Sequence, residues 1–115
     1  MRHPDVLPLL ERLNLPVFIQ GDMPEDMPYP DLFITYTWFT STDIWKFDNR
    51  ATATEYTCQI TVYGKSPNAI DKAVETLTKI LLDNGYSKSG GGRLIPSDEK
   101  THLGWTNDYY YIVKE

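Results

Sequence analysis

Hydrophobic positions along the chain follow two different periods. Within 52–63, Tyr56, Cys58, Ile60 and Val62 alternate with Glu55, Thr57, Gln59 and Thr61. A period of two places the first set on one face of a strand and the second on the other, with the first facing the core. Within 31–40, Leu32, Ile34, Tyr36 and Trp38 alternate with Phe33, Thr35, Thr37 and Phe39. Large residues on both faces predict a central strand or one covered on both sides. Residues 17–20, between Pro16 and Gly21, predict a short strand, and 105–113 a last one. In the last strand Tyr109, Tyr111 and Val113 share one face, and Tyr110 and Ile112 the other.

Elsewhere the period is helical. Ile70, Ala73, Val74, Leu77, Ile80 and Leu81 form one stripe of a helix running to about residue 84. Ser66 suits its N-cap, Pro67 its first position and Gly85 the residue after its end. Glu75 and Lys79 lie four apart on its exposed face in the favourable order. Val6, Leu9, Leu10 and Leu13 make a shorter stripe within 4–14. Pro4 and Asp5 suit a first helical turn. Pro8 costs a hydrogen bond unless it lies in that turn too, and Pro16 ends the helix.

The connections predict less. Gly21, Pro24, Pro28 and Pro30 forbid regular structure over 21–30. Residues 41–51 are polar and punctuated, yet carry Ile44, Trp45 and Phe47. The expectation is an antiparallel hairpin joined by a loop of about ten residues. Ser87, Lys88, Ser89 and the three glycines at 90–92 are expected to be mobile rather than a stable element, with a short strand over 93–95 and a polar turn over 97–100. No repeat and no linker divides the chain, so residues 1–115 read as a single domain.

Composition then removes whole classes of function. The chain has 115 residues, a formal net charge of −5, 41% hydrophobic and 13% aromatic residues. The aromatic share argues against disorder, and the acidity against a nucleic-acid-binding face. No apolar run is long enough for a membrane span. Pro8, Glu11 and Arg12 interrupt any signal core, so synthesis in the cytoplasm is the default. The single cysteine, Cys58, allows no internal disulfide and no cysteine-based metal site, and reads as a small buried hydrophobe.

The search for catalytic chemistry yields little. His3 lies near the N-terminal end of the sequence, and His102, with Asp98 and Glu99 nearby, reads as solvated in a polar turn. Gly90, Gly91, Gly92 and Arg93 lack the Lys-Ser/Thr of a phosphate loop. Asp22, Glu25 and Asp26 lack the spacing of a calcium-binding loop and read as a solvated acidic connection. No catalytic residue, cofactor site or metal site is assigned. The aromatics are more telling. Trp45 and Phe47, in a polar connection, read equally as core or as interface anchors. The run Tyr109, Tyr110 and Tyr111 must place rings on both faces of its strand, against a helix or a neighbouring subunit. No basic residues interleave with these rings to stack and hold RNA.

Taken in order, the segments resemble one family. A short helix leads to Pro16, Val17 and Phe18, and a Pro-rich gap ends at Tyr29 and Pro30. A strand with Phe33, Ile34, Thr35 and Tyr36 follows, then the aromatic-acidic Phe47, Asp48 and Asn49. A long strand closes at Val62, Tyr63 and Gly64, a helix opens at Ser66 and Pro67, and a glycine-flanked segment precedes a Tyr-rich last strand. This order, over nearly the whole chain, resembles the small tail-completion, tail-terminator and head–tail joining proteins of long-tailed phages and prophages. The resemblance implies an α+β fold: a mainly antiparallel sheet of about four strands with two helices packed on one face. It implies no enzyme activity. It implies a virion protein, made in the bacterial host cytoplasm, that forms a ring, commonly a hexamer, at the head-proximal end of the tail. Its partners are then further copies of itself, the tail tube protein and the head–tail connector, with no membrane. DNA passes through without specific binding.

A ring needs two different sticky patches on each subunit. Trp45 and Phe47 supply one candidate, and Tyr109, Tyr110 and Tyr111 the other. Acids facing the lumen would repel phosphates, and Asp22, Glu25 and Asp26 are the candidates. Residues 1–50 hold eight acids against four bases, the rest eight against seven, so the acidity concentrates toward the N-terminal loops. The alternative class is a small cytosolic binding or regulatory module that presents an aromatic groove to a ligand or peptide.

Overall fold

The two alternating segments at 31–40 and 52–63 pair with each other, and both strands run well past their patterns. In the computed structural model, which describes residues 5–47 and 50–114 and side chains outside 40–52, β1 is Val17–Ile19, β2 Leu32–Phe47 and β3 Arg50–Gly64. Helix α1 is Leu7–Leu10, continued by a 3-10 turn at Glu11–Leu13, and α2 is Pro67–Asp83. Strand β4 is Ser87–Pro96 and β5 is Leu103–Lys114. The five strands form one sheet in the order β1-β2-β3-β5-β4. Only the β1–β2 pair is parallel; the other three pairs are antiparallel. The architecture is α+β, with the sheet backed by the two helical segments.

Two connections expected to be irregular are instead strand. The segment 41–51 was expected to be a long loop, but Phe47 pairs with Arg50, so β2 and β3 form a hairpin of 16- and 15-residue strands. The run Thr40, Thr42, Ile44, Trp45, Phe47, Thr52 and Thr54 supplies β-branched and aromatic residues, whose strand preference outweighs the Ser and Asp punctuation. One extra β2 residue is absorbed as a bulge between Trp38 and Ser41. At about 3.3 Å per residue a strand this long spans roughly 50 Å. The molecule's longest dimension, 53 Å, is set by it.

The glycine-rich segment 87–92 is the second difference: it extends the short strand expected over 93–95 into β4, so the sheet has five strands against the about four expected. It lies on the edge of the sheet as part of β4, where β5 supplies the ladder that its own sequence does not favour. Between the pairs Ser89–Asp108 and Arg93–Thr106 the register slips, and Gly90 and Gly92 take φ of +73° and +79°. The glycines permit this bulge, and the Asn107 side-chain amide donates to the Gly90 carbonyl at 3.2 Å to hold it.

One face of the sheet carries the core. Ile34 and Tyr36 of β2, Cys58, Ile60 and Val62 of β3, and Tyr109 of β5 meet Ile70, Ala73, Leu77 and Leu81 of α2. Val6 and Leu10 close one margin and Tyr86 belongs to the same cluster. This is the face read from the alternation, and the α2 stripe is the one predicted. Ser66 caps α2, its side chain accepting from the Ala69 amide at 3.3 Å. The hydroxyls of Tyr109 and Thr78 lie 2.8 Å apart, so the strand is tied to the helix by a hydrogen bond within the core. Among the described residues, no helix covers the opposite face. Along its middle Thr35, Thr61 and Thr106 are buried, and the Thr61 hydroxyl donates to that of Thr106 at 3.0 Å.

Candidate functional site

The uncovered face of the sheet has two ends of different chemistry. At the end nearer the hairpin tip, Phe39 is 51% exposed and Ile112 37%, with Tyr110 half-buried beside them. Tyr110 pairs with Thr57 and Ile112 with Glu55, so strand alternation sets these apolar groups against β3 positions that carry polar side chains. The sheet also ends in two unlike edges. On one, β1 covers β2 only over Ile34, Thr35 and Tyr36. On the other, β4 is exposed almost throughout, with Leu94 68% exposed.

The residues singled out by the sequence divide among these places. Tyr109 is fully buried in the core, so in the single chain it serves packing and the Thr78 bond. Tyr111 leans against Tyr86, ring centroids 5.0 Å apart, on the helix-covered side. Tyr110 alone of the three lies on the uncovered face. The side chains of Trp45 and Phe47 lie outside the described residues. Asp22, Glu25 and Asp26 are exposed in the connection between β1 and β2, and Glu25 lines a cavity.

That cavity stands at the other end of the uncovered face. It is a cleft of about 460 Å³ between the 20–25 segment and the 96–99 turn. Its floor is aromatic. Phe33 stacks on Tyr63 at 5.2 Å with planes 23° apart, and Tyr29 meets Phe33 edge-on at 5.3 Å. Gly104 pairs with Tyr63 across the ladder, and a Cβ there would come within 2.9 Å of the Tyr63 ring, so only glycine lets that ring lie down over β5. Glu25 stands on one lip, and Asp98 and Glu99 on the other.

His102 builds the floor rather than lining a solvated turn, which corrects the expectation for it. It is 4% exposed, and its Nε2 lies 2.8 Å from the Pro30 carbonyl oxygen. A carbonyl only accepts, so Nε2 carries the proton and donates. Nδ1 lies 2.9 Å from the Thr101 hydroxyl. The ring also packs edge-on to Tyr29 at 5.3 Å. Burial, joined by the charges of Asp98 and Glu99, raises the Tyr29 phenol above its ordinary pKa. Burial, then Tyr29 and Asp98, raises that of Tyr63. The acidic 96–99 lip therefore acts electrically on the aromatic floor.

Sequence reasoning noted Asp98 and Glu99 but missed the cleft, because its walls come from segments some seventy residues apart, as the Pro30–His102 bond shows. Among the described residues, no three His, Cys, Asp or Glu side chains are gathered closely enough to hold a metal ion. Cys58 is fully buried, and burial pushes its thiol up to about 12, far from a reactive thiolate. Among the described residues, no helix is long and apolar enough to cross a membrane. Compared with protein-family models and with curated proteins, the chain matches none.

Proposed function

We propose that this chain is a non-enzymatic structural virion protein that assembles as a ring at the head-proximal end of a phage tail, stops tube polymerisation and supports joining to the head. The order of segments, which resembles tail-terminator and head–tail joining proteins, motivates the reading. The observation that carries it is the one-sided sheet: helices cover one face, while Phe39, Tyr110 and Ile112 are left uncovered on the other. Unlike edges at β1–β2 and at β4 suit a head-to-tail contact repeated around an axis, which requires two different patches per subunit. The ring, commonly a hexamer in the family it resembles, would contact the tail tube protein on one side and the connector on the other.

The test is assembly. The protein is mixed with polymerising tube protein, and tube length and end caps are read by electron microscopy, with mass by light scattering. Capped tubes of limited length are expected, and Trp45→Ala or Phe47→Ala should weaken capping while leaving the melting temperature nearly unchanged. Tubes of unrestricted length with bare ends sink the proposal. A second reading, a small ligand- or peptide-binding module, draws its support from the cleft at the opposite end of the uncovered face.

A further inference from the structure

We infer that the cleft between the 20–25 segment and the 96–99 turn is a receptor for an arginine side chain presented by a partner protein. The inference is independent of ring assembly and starts from three properties of the cleft. Its volume, about 460 Å³, lies in the range of about 300–1,000 Å³ of specific small-ligand sites. Its lips carry the carboxylates of Glu25, Asp98 and Glu99, and among the described residues no lysine or arginine lines it. Its floor is the half-buried rings of Tyr29 and Tyr63, seated on the buried Phe33.

Negative lips over an aromatic floor fit a cation, and the arrangement selects which kind. A small metal ion needs several oxygens converging on one point. The carboxylates stand on opposite lips, and among the described residues no three metal-binding side chains are clustered. A large flat cation meets both lips at once. Guanidinium presents five N–H donors in one plane, pairs with carboxylates two bonds at a time, and stacks on aromatic faces. An ammonium is a compact, strongly hydrated point charge that uses the rings and the separated lips less well.

The floor is also fixed before any ligand arrives. Gly104 seats the Tyr63 ring, Phe33 stacks on it, and His102 anchors Tyr29's segment by donating to the Pro30 carbonyl. Preorganisation of this kind lowers the cost of ordering on binding. The chain's net charge of −5 adds a general attraction for basic partners.

The experiment is an NMR titration of the full chain with three capped peptides, Gly-Arg-Gly, Gly-Lys-Gly and Gly-citrulline-Gly. Citrulline keeps the shape of arginine and removes its charge. The arginine peptide is expected to shift the amides of Glu25, Asp98 and Glu99 and the ring protons of Tyr29 and Tyr63, with salt weakening the effect. The lysine peptide should bind several-fold more weakly, and the citrulline peptide should leave these signals unmoved. The double substitution Asp98→Asn with Glu99→Gln, checked for an unchanged circular dichroism spectrum and melting temperature, should lower arginine affinity about tenfold, about 1.4 kcal/mol. Tyr63→Leu should weaken binding without changing its salt dependence. Equal response to arginine and citrulline, lysine binding as tight as arginine, shifts away from the cleft, or undiminished binding by the double variant would each overturn the inference.

Discussion

Three consecutive glycines in β4 offer a graded test of the structure, because each occupies a different environment. Gly91 has an ordinary φ and nothing within 4 Å of a would-be Cβ. Gly90 has the same open space but a φ of +73°. Gly92 has a φ of +79°, and a Cβ there would lie 2.1 Å from Cζ2, 2.5 Å from Cε2 and 2.8 Å from Cη2 of Trp105. Trp105 packs against the core, so its ring cannot withdraw without loosening neighbours. Replacing glycine by alanine where the backbone tolerates it stabilises by about 0.4–1 kcal/mol through the unfolded chain. A left-handed alanine costs about 1–2 kcal/mol. Forcing extra volume into packed surroundings adds about 1–3 kcal/mol.

The expected order is therefore Gly91→Ala neutral to slightly stabilising, Gly90→Ala destabilising by about 1 kcal/mol, and Gly92→Ala by about 2–5 kcal/mol. At roughly 4 °C per kcal/mol these differences separate clearly in thermal melts. Urea titrations followed by tryptophan fluorescence supply the free energies, and the Gly92→Ala spectrum should shift because the indole moves. If the segment were a loose loop, all three substitutions would behave alike and none would cost much. That result would refute the bulge, and with it the placement of β4.

Other consequences follow from buried groups. Among the described residues, the Tyr86 hydroxyl is buried without a hydrogen-bond partner, so Tyr86→Phe should raise stability by about 1 kcal/mol in urea denaturation; a loss would mean the hydroxyl is satisfied. Leu77 is fully buried between helix and sheet, so Leu77→Ala should cost about 2–5 kcal/mol in the same assay. Thr78→Val removes the bond to Tyr109, leaving a phenol in the core short of a partner, and should cost about 1–3 kcal/mol against little for the double variant Thr78→Val with Tyr109→Phe. Burial raises Cys58 to about 12 and lifts Tyr36, Tyr86 and Tyr109 above their ordinary values. The folded state thus favours their neutral forms, and this stabilisation is complete below the ordinary thiol value of 9.0 and lost as pH rises toward 12. Urea midpoints should hold level to about pH 9 and fall beyond it, and a thiol reagent at pH 8 should label Cys58 only after unfolding.

The sequence was most informative where one physical rule acted alone. The alternation of Tyr56, Cys58, Ile60 and Val62 named the core face of β3, because one covered face imposes a period of two. The α2 stripe and its Ser66 cap were equally legible. The failures came where two rules competed. In 41–51 the β-branched and aromatic residues prevailed over the turn formers, and at 87–92 a neighbouring strand supplied order that glycine lacks. His102 was misjudged for a third reason. Its burial depends on Pro30 and Tyr29, distant in the chain, and no local pattern encodes such an encounter. Of the three tyrosines in the proposed interface only Tyr110 stands on the uncovered face, since the rule that puts rings on both sides of a strand does not say which side the helix will cover.

The order of strands in space has a consequence for how the chain is made. Strand β5 occupies the slot between β3 and β4, and it carries Tyr109, the largest fully buried side chain among the described residues. The hairpin, the helix and β4 all leave the ribosome before it. Until residues 103–114 have been synthesised, the β3 edge stays open and the core lacks its central plug. The hairpin can zip early, since its contacts are local, whereas the other edge of β3 must wait for a partner about forty to sixty residues away. The vulnerable species in the life of this protein is therefore a chain made as far as β4 with one unfilled seam, a state in which another chain's strand could take β5's place.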